Sequence, residues 1–408
     1  MRILLSFNGT RGDAQPVVAL GRALNAAGHT AVLSGPPDFQ AWAEEHGLDY
    51  RPRGLAAKAF MQRVGQGPSL DILRAMQEMY RESIVKSFDV VRGLAAEVDL
   101  VVGAGVCLAE RSAAECAGRP YVYLNYCPAL LPSTKHPPSG VPWEIRNPTV
   151  NRALWAFMNV YTLPFLWLFS RSWRQQGAQI KLEGIFQNMT GGPHRIIAAD
   201  PELAPTPPEF VGRAVQVGAF HLMPEGQHLD PAVEAFLEAG PPPIYLGFGS
   251  MTTGAPGQVT AWGVKVAEQL GCRMILGAGW GGLGPQEVPA NVLVIESAPH
   301  LLLFPRCAGA IHHGGAGTTA AALRSGVPQF IVPHFKDQYY FGHRVRRLGL
   351  GPAPVVNRGL TLKKLQAAVA EMLEDAAMAS AAREVGQQVR QRDALALAIE
   401  ALEQIEAA

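Results

Sequence analysis

The stretch "RILLSFNGTRGDAQPVVALGRALNAAGHTAVLS", residues 2–34, changes its hydrophobic period twice. Residues 2–7 are a continuous apolar run. Residues 14–28 then place Val17, Leu20, Leu24 and Ala27 on one helical stripe and stop at Gly28. Residues 30–34 return to an apolar run. A strand that is apolar on both faces must be covered on both faces, so this β-α-β unit predicts a parallel sheet between two helical layers.

The alternation continues along the chain. "FQAWAEEHG" (39–47) reads as a helix, and "VDLVVGAG" (98–105) and "PYVYLNY" (120–126) read as strands. It breaks at 128–180, where a Pro-rich segment, "PALLPSTKHPPSGVP", leads into an aromatic-rich helical stretch. Four of the seven tryptophans lie there: Trp143, Trp155, Trp167 and Trp173. The rhythm resumes at "HRIIAAD" (194–200), is punctuated by prolines over 201–243, and restarts at Ile244. "RMILGAG" (273–279), "NVLVIES" (291–297), "GAIHH" (309–313) and "PQFIVP" (328–333) are further strands. The 408 residues therefore divide into an α/β half over 1–217, a linker over 218–240 and an α/β half over 241–390. The helical residues 391–408 are expected to dock back on the first half. Two such halves imply a cleft, with ligands at the carboxyl ends of the strands.

Composition removes several function classes. Lysines and arginines number 35 against 34 acidic residues, a net charge of +1, so nucleic acid is not an expected partner. Arg344, Arg346 and Arg347 read as a solvated helix face. The five cysteines are scattered with no CxxC pair, which suits a reduced, cytoplasmic protein. The opening residues are too short in apolar length for a signal peptide. The apolar run at 153–169 falls short of the roughly 20 residues of a spanning helix and carries Asn159, Thr162 and Pro164. It is expected to be buried or to lie at an interface, including the surface of a bilayer.

Two strand-to-helix turns carry the chemistry. In "GAIHHGGAGTTAAALRSGVP" (309–328) a strand ends at His312 or His313, and a helix begins near Gly317 and Thr318. A Gly-rich loop at a helix start presents backbone N–H groups and the positive end of the helix dipole, a site for phosphate. A tight turn that merely packs is the alternative. Neighbouring histidines on a strand point apart, and no HExxH spacing occurs, so no metal is expected there. The second turn is "FNGTRGDAQP" (7–16). Asp13 there is either a helix cap or a carboxylate facing the cleft.

With these motifs in place the chain resembles the GT-B glycosyltransferases that use nucleotide sugars, over nearly its whole length. Plant members carry HCGWNSxxE, then GVP, then PxxxDQ. The spacing to "GVP" (326–328) aligns their histidine with His313, and "PHFKDQ" (333–338) aligns their sugar-holding pair with Asp337 and Gln338. The resemblance implies two Rossmann-like domains with parallel sheets facing a central cleft. It assigns the donor diphosphate to His313, Gly315, Gly317 and Thr318. "GFGS" (247–250) brings Ser250 to the diphosphate, "SAPH" (297–300) brings Ala298 and His300 to the base, and Thr10 and Gly12 approach from the first turn. The chain departs from the plant pattern at Ser297, where a stacking tryptophan stands, and at Ala321, where a ribose-holding glutamate stands. It carries Asp13 where many members have a histidine base, as the antibiotic and sterol branches do.

The implied reaction moves a hexose from a UDP- or dTDP-sugar to a hydroxyl of a lipophilic acceptor, a sterol or a natural-product aglycone, with inversion. Asp13 would take the hydroxyl proton, with burial raising its pKa. Backbone N–H groups, and His313 if protonated, would meet the charge growing on the diphosphate. No DxD sequence occurs, so no metal or other cofactor is expected. Trp143, Trp155 and Phe157 are candidates for an apolar acceptor groove, with ordinary core packing as the alternative. Two other readings stay open from the sequence: a non-catalytic nucleotide-sugar or lipid-binding homologue, and a nucleotide-sugar epimerase on the same fold.

Overall fold

The computed structural model describes residues 1–56, 87–175, 177–178, 185–223, 226–249, 256–278 and 288–406. Seven strands form a first sheet: β1 (Arg2–Asn8), β2 (Thr30–Gly35), β3 (Asp49–Pro52), β4 (Leu100–Gly105), β5 (Tyr121–Asn125), β6 (His194–Ile197) and β7 (Val215–Gln216). Five form a second: β8 (Ile244–Gly247), β9 (Met274–Gly277), β10 (Val292–Ile295), β11 (Gly309–His312) and β12 (Gln329–Ile331). All pairings are parallel. The orders are β3-β2-β1-β4-β5-β6-β7 and β10-β9-β8-β11-β12. Both sheets reverse direction beside their first strand, β1 in one and β8 in the other. Such switch points leave a crevice at the carboxyl ends of the strands. The edge strands β3 and β7 carry mostly exposed residues, so no apolar run marked them in the sequence.

Helix α1 (Arg11–Ala26) lays Val17, Leu20 and Leu24 on the face of the first sheet that carries Ile3, Leu5 and Phe7. The opposite face, with Leu4, Val101 and Tyr123, belongs to a core that continues into the second half through Leu323, Ile331, Phe341 and Val389. The two domains therefore share apolar packing. Further named helices are α2 (Glu110–Cys116), α3 (Pro148–Gln175), α4 (Pro231–Glu238), α5 (Ala316–Ser325), α6 (Asp337–Arg347), α7 (Ala376–Arg390) and α8 (Ala394–Glu406). Helix α4 lies in the linker region, and its Val233 and Leu237 pack with Leu303 and Phe304 of the second domain. Helix α8 crosses back: Ala398 and Leu402 join the core of the first domain.

The basic cluster on α6 is more than a solvated face. Arg344 donates to the Leu203 carbonyl of the first domain at 2.6 Å, and Arg346 pairs with Glu371 at 2.8 Å. Helix α3 contains the apolar run 153–169. Among the described residues no helix is long and apolar enough to cross a membrane.

Candidate active site

A cleft of about 1140 Å³ opens where the carboxyl edges of the two sheets face each other. It exceeds the roughly 300–1,000 Å³ of a pocket for a single drug-sized ligand, so it has room for two substrates side by side. The loop after β1 lines one wall, with Thr10, Gly12 and Asp13. The opposite wall is the loop after β11 with His313, Gly315, Gly317 and Thr318, together with Ala298, His300, Asp337 and Gln338.

Asp13 stands at the third position of α1, whose N-cap is Thr10. It is therefore not the capping residue itself but the acidic half of a capping box. Its Oδ2 accepts the Thr10 N–H at 2.8 Å. Oδ1 accepts no hydrogen bond among the described residues and lies toward Gly105, where an added Cβ would come within 3.3 Å. One oxygen is thus held by the helix and the other is left for chemistry. Burial raises the Asp13 pKa, opposed by the Thr10 N–H and by the charge of Lys336. Gly9, at φ +130°, makes the arrangement possible: a Cβ there would stand 2.1 Å from Oδ2. Pro16 falls in the second turn of α1 and lacks the N–H that would bond the Gly12 carbonyl at the cleft.

The histidines at 312 and 313 do different work. His312 is the last residue of β11 and is fully buried. Its Nδ1 accepts the Gly314 N–H at 3.0 Å, which leaves Nε2 to donate to Gln329 Oε1 at 3.0 Å. That tautomer latches the loop to β12. Gly314, at φ +87°, must be glycine, because a Cβ would meet Ile331 at 2.5 Å. His313 turns into the cleft over Gly315, whose added Cβ would stand 2.5 Å from the imidazole Nε2. Burial, reinforced by His312, His334 and His300, pushes the His313 pKa down to about 3. Without a neighbouring anion His313 is therefore uncharged near neutral pH, and a cationic role would require the charge of a bound diphosphate to raise that pKa. Its Nδ1 is buried with no partner among the described residues. Helix α5 starts at Ala316, capped by Gly315. The first intrahelical bond is Thr319 N–H to Gly315 O, so the N–H groups of Ala316, Gly317 and Thr318 have no helical acceptor.

The segment before α6 is strained. Lys336 has φ 55° and ψ −131°, the one non-glycine residue at positive φ among those described. Asp337 follows as the first residue of α6. Burial raises its pKa to about 6, with Lys336 opposing and Asp13 adding to the rise, which couples the two carboxylates across the cleft. The Gln338 amide oxygen accepts the N–H groups of His334 at 2.7 Å and Phe335 at 3.2 Å. That oxygen is committed to shaping the loop.

Comparison with known proteins matches this geometry to a family. The family model described as glycosyltransferase family 28 N-terminal domain matches residues 3–133, and the one described as erythromycin biosynthesis protein CIII-like, C-terminal domain, matches residues 282–400. The chain is 37% identical to the vancomycin aglycone glucosyltransferase of Amycolatopsis orientalis, over 86% of each chain. The chain belongs to the GT-B glycosyltransferases. A sterol 3-beta-glucosyltransferase of Arabidopsis thaliana is 28% identical over 98% of this glycosyltransferase and 67% of its own length. The crystal structure of glycosyltransferase VinC in complex with dTDP shares the fold, with a TM-score of 0.72 and 20% identity over 100% of both chains.

Not every expected site residue reaches the cleft of this glycosyltransferase. Ser250 lies outside the described residues, next to Gly249. The three acceptor candidates are elsewhere, which corrects that expectation. Trp155 is buried and its Nε1 donates to the His136 carbonyl at 3.2 Å. Phe157 is exposed and stacks on Tyr161 at 5.8 Å. Trp143 lines a smaller hollow of about 130 Å³ with His136 and Tyr340. Two residues apart on a helix means about 200° of rotation, so Trp155 and Phe157 cannot serve one surface.

His300, expected at the base, stacks on Phe304 at 4.4 Å and lines the cleft together with Ala298. Other residues went unnoticed in the sequence. Tyr126 bonds the Asp13 carbonyl at 3.2 Å and steadies the first turn of α1. At the cleft floor Arg53 and Glu110 form a fully buried ion pair at 2.6 Å. Arg53 also bonds Ser6, the Phe7 carbonyl, Asn8 and Ser87. Nothing in the local sequence around Arg53 or Glu110 marks them as partners 57 residues apart.

Proposed function

We propose that this glycosyltransferase transfers a hexose from a UDP- or dTDP-sugar to a hydroxyl of a hydrophobic small molecule, a sterol or a natural-product aglycone, with inversion at the anomeric carbon. The observation that carries it is the opposition of the Asp13 carboxylate to the open N-terminus of α5 across one cleft. An acceptor hydroxyl between them loses its proton to Asp13 as its oxygen bonds the anomeric carbon. The bond from that carbon to the diphosphate breaks on the opposite side. The departing negative charge meets the N–H groups of Ala316, Gly317 and Thr318 and the helix dipole. A neutral His313 contributes a hydrogen bond rather than a charge. Asp337 accepts sugar hydroxyls.

The relatives support the substrate classes: one acts on the vancomycin aglycone, another on a sterol, and VinC is seen with dTDP. Ala321 in the cleft leaves no carboxylate at the position that holds a ribose in plant members, a departure compatible with dTDP and, as in the sterol branch, with UDP. The test is a thermal-shift panel of UDP, dTDP and their sugars, followed by an acceptor screen of sterols and polycyclic aglycones with the best donor. Asp13→Ala should leave donor affinity nearly intact and lower turnover by about 10² to 10⁴. Turnover near that of the wild type would remove Asp13 as the base. Isomerisation of the donor sugar without any transfer would overturn the reading itself.

A further inference from the structure

Helix α3 turns an apolar face outward. Phe157, Val160, Tyr161 and Trp167 are each more than half exposed, and Val150 is close to half. At 100° per residue these five fall within an arc of about 120°, and along the axis they span about 26 Å. Ala153 and Pro164 lie on the same arc and are also exposed. The opposite side of the helix buries Trp155, Leu166 and Trp173 in the first domain, so the outward stripe is a second apolar surface and not a misplaced core. No described residue of α3 lines the cleft.

Charge accompanies the stripe. Helix α3 has no aspartate or glutamate in its 28 residues, and its three charges are Arg152, Arg171 and Arg174. Arg152 lies beside the first turn of the stripe, and Arg171 and Arg174 lie past its other end. Arg171 is exposed on the line of the stripe, and Arg174 lies over the Trp167 ring at 5.6 Å. The whole chain carries a net charge of only +1, so this local excess is not a general property of the surface. A two-fold copy of the chain is a poor occupant. Antiparallel pairing would set Arg152 of one helix against Arg171 and Arg174 of the other, with no carboxylate on either.

We infer that the outward face of α3 docks this glycosyltransferase on the surface of an anionic lipid bilayer. Aromatic rings flanked by arginines suit the headgroup region, where apolar bodies sink to the acyl boundary and cations meet lipid phosphates. The helix lies in the plane of the surface. The inference stands on α3 alone and does not depend on the acceptor proposed above.

Vesicle sedimentation tests it, with vesicles of phosphatidylcholine alone and of phosphatidylcholine mixed with phosphatidylglycerol. The wild-type chain should sediment with the mixed vesicles and be released as salt is raised. The triple variant Val160→Ser, Tyr161→Ser, Trp167→Ser should lower the bound fraction by at least about tenfold. Arg152→Gln with Arg171→Gln and Arg174→Gln should erase the preference for phosphatidylglycerol. Unchanged melting and an unchanged thermal shift with UDP or dTDP show that the variants are folded. A wild-type chain that stays in the supernatant with both vesicles would overturn the inference, as would a triple variant that sediments like the wild type. Loss of a dimer in the triple variant by sedimentation velocity, without vesicle binding by the wild type, would assign the face to a second copy instead.

Discussion

At the residue scale the decisive feature is a lysine where backbone geometry favours glycine. Lys336 sits at φ 55° in the cleft wall, directly before Asp337. Burial raises the pKa of both Asp13 and Asp337, and the Lys336 charge works against that rise in each. A base works only as the carboxylate, so activity is full above the pKa of Asp13 in the folded protein and falls as pH drops through it. Lys336→Met removes the opposing charge. The acid limb of the kcat/KM profile should then move to higher pH, and a limb that stays in place would separate Lys336 from the base. Asp337 gives a stability prediction of definite sign. Its pKa rises from an ordinary 3.8 to about 6 on folding, so its contribution favours the folded state below about pH 3.8 and is lost as pH rises through about 6. Asp337→Asn should therefore raise Tm by a few degrees at neutral pH without donor, and leave Tm little changed at pH 4. Thermal melts at the two pH values check it.

At the scale of elements, the cleft is shaped by loops held from behind. His312 ties the β11 loop to β12 through Gln329, and Gln338 ties the segment before α6 to its own helix. The buried pair Arg53–Glu110 does the same for the first domain. Glu110 also takes the Ser6 hydroxyl at 3.0 Å and the Ala109 N–H at 3.0 Å, so it joins β1, the end of β3 and the start of α2. Removing one partner strands a buried charge. Glu110→Ala should cost about 3–5 kcal/mol of stability, whereas Arg53→Met combined with Glu110→Leu should recover most of it. Denaturant unfolding of the two variants distinguishes an ion pair that holds the fold from one that merely occupies it.

At the scale of the molecule, the domains are linked by more than the chain between them. Arg392, in the turn between α7 and α8, bonds Glu202 of the first domain at 3.0 and 2.5 Å and approaches Asp200 at 3.7 Å. Burial works to raise the Glu202 pKa, but the Arg392 bonds outweigh it and hold the carboxyl below its usual range. This contribution to stability is present above the ordinary carboxylate pKa and lost as pH falls through the lowered one. Arg392→Ala should cost about 1.5–3 kcal/mol, the usual worth of hydrogen bonds to a charged group. It should also widen the spread of domain orientations, seen as a larger radius of gyration by small-angle scattering. An unchanged Tm and radius would leave the apolar packing of α8 as the tie between the domains.

The sequence by itself determined the parallel α/β architecture, because fully apolar strands alternating with striped helices admit little else. It also determined which turns face the cleft. Glycines and an acidic residue directly after an apolar strand mark a loop at the carboxyl edge of a sheet, whatever the rest of the chain does. Tertiary structure decided what those residues are. The sequence could not say that burial lowers the His313 pKa, since two of the histidines that add to the effect, His300 and His334, reach it only in the fold. Nor could it say which oxygen of Asp13 is left open, or that Arg53 meets Glu110. Segment 148–175 shows the limit most plainly. Its composition announced an apolar helix, but only packing against the first domain decided which side is core and which side, with Phe157 and Trp167, faces outward.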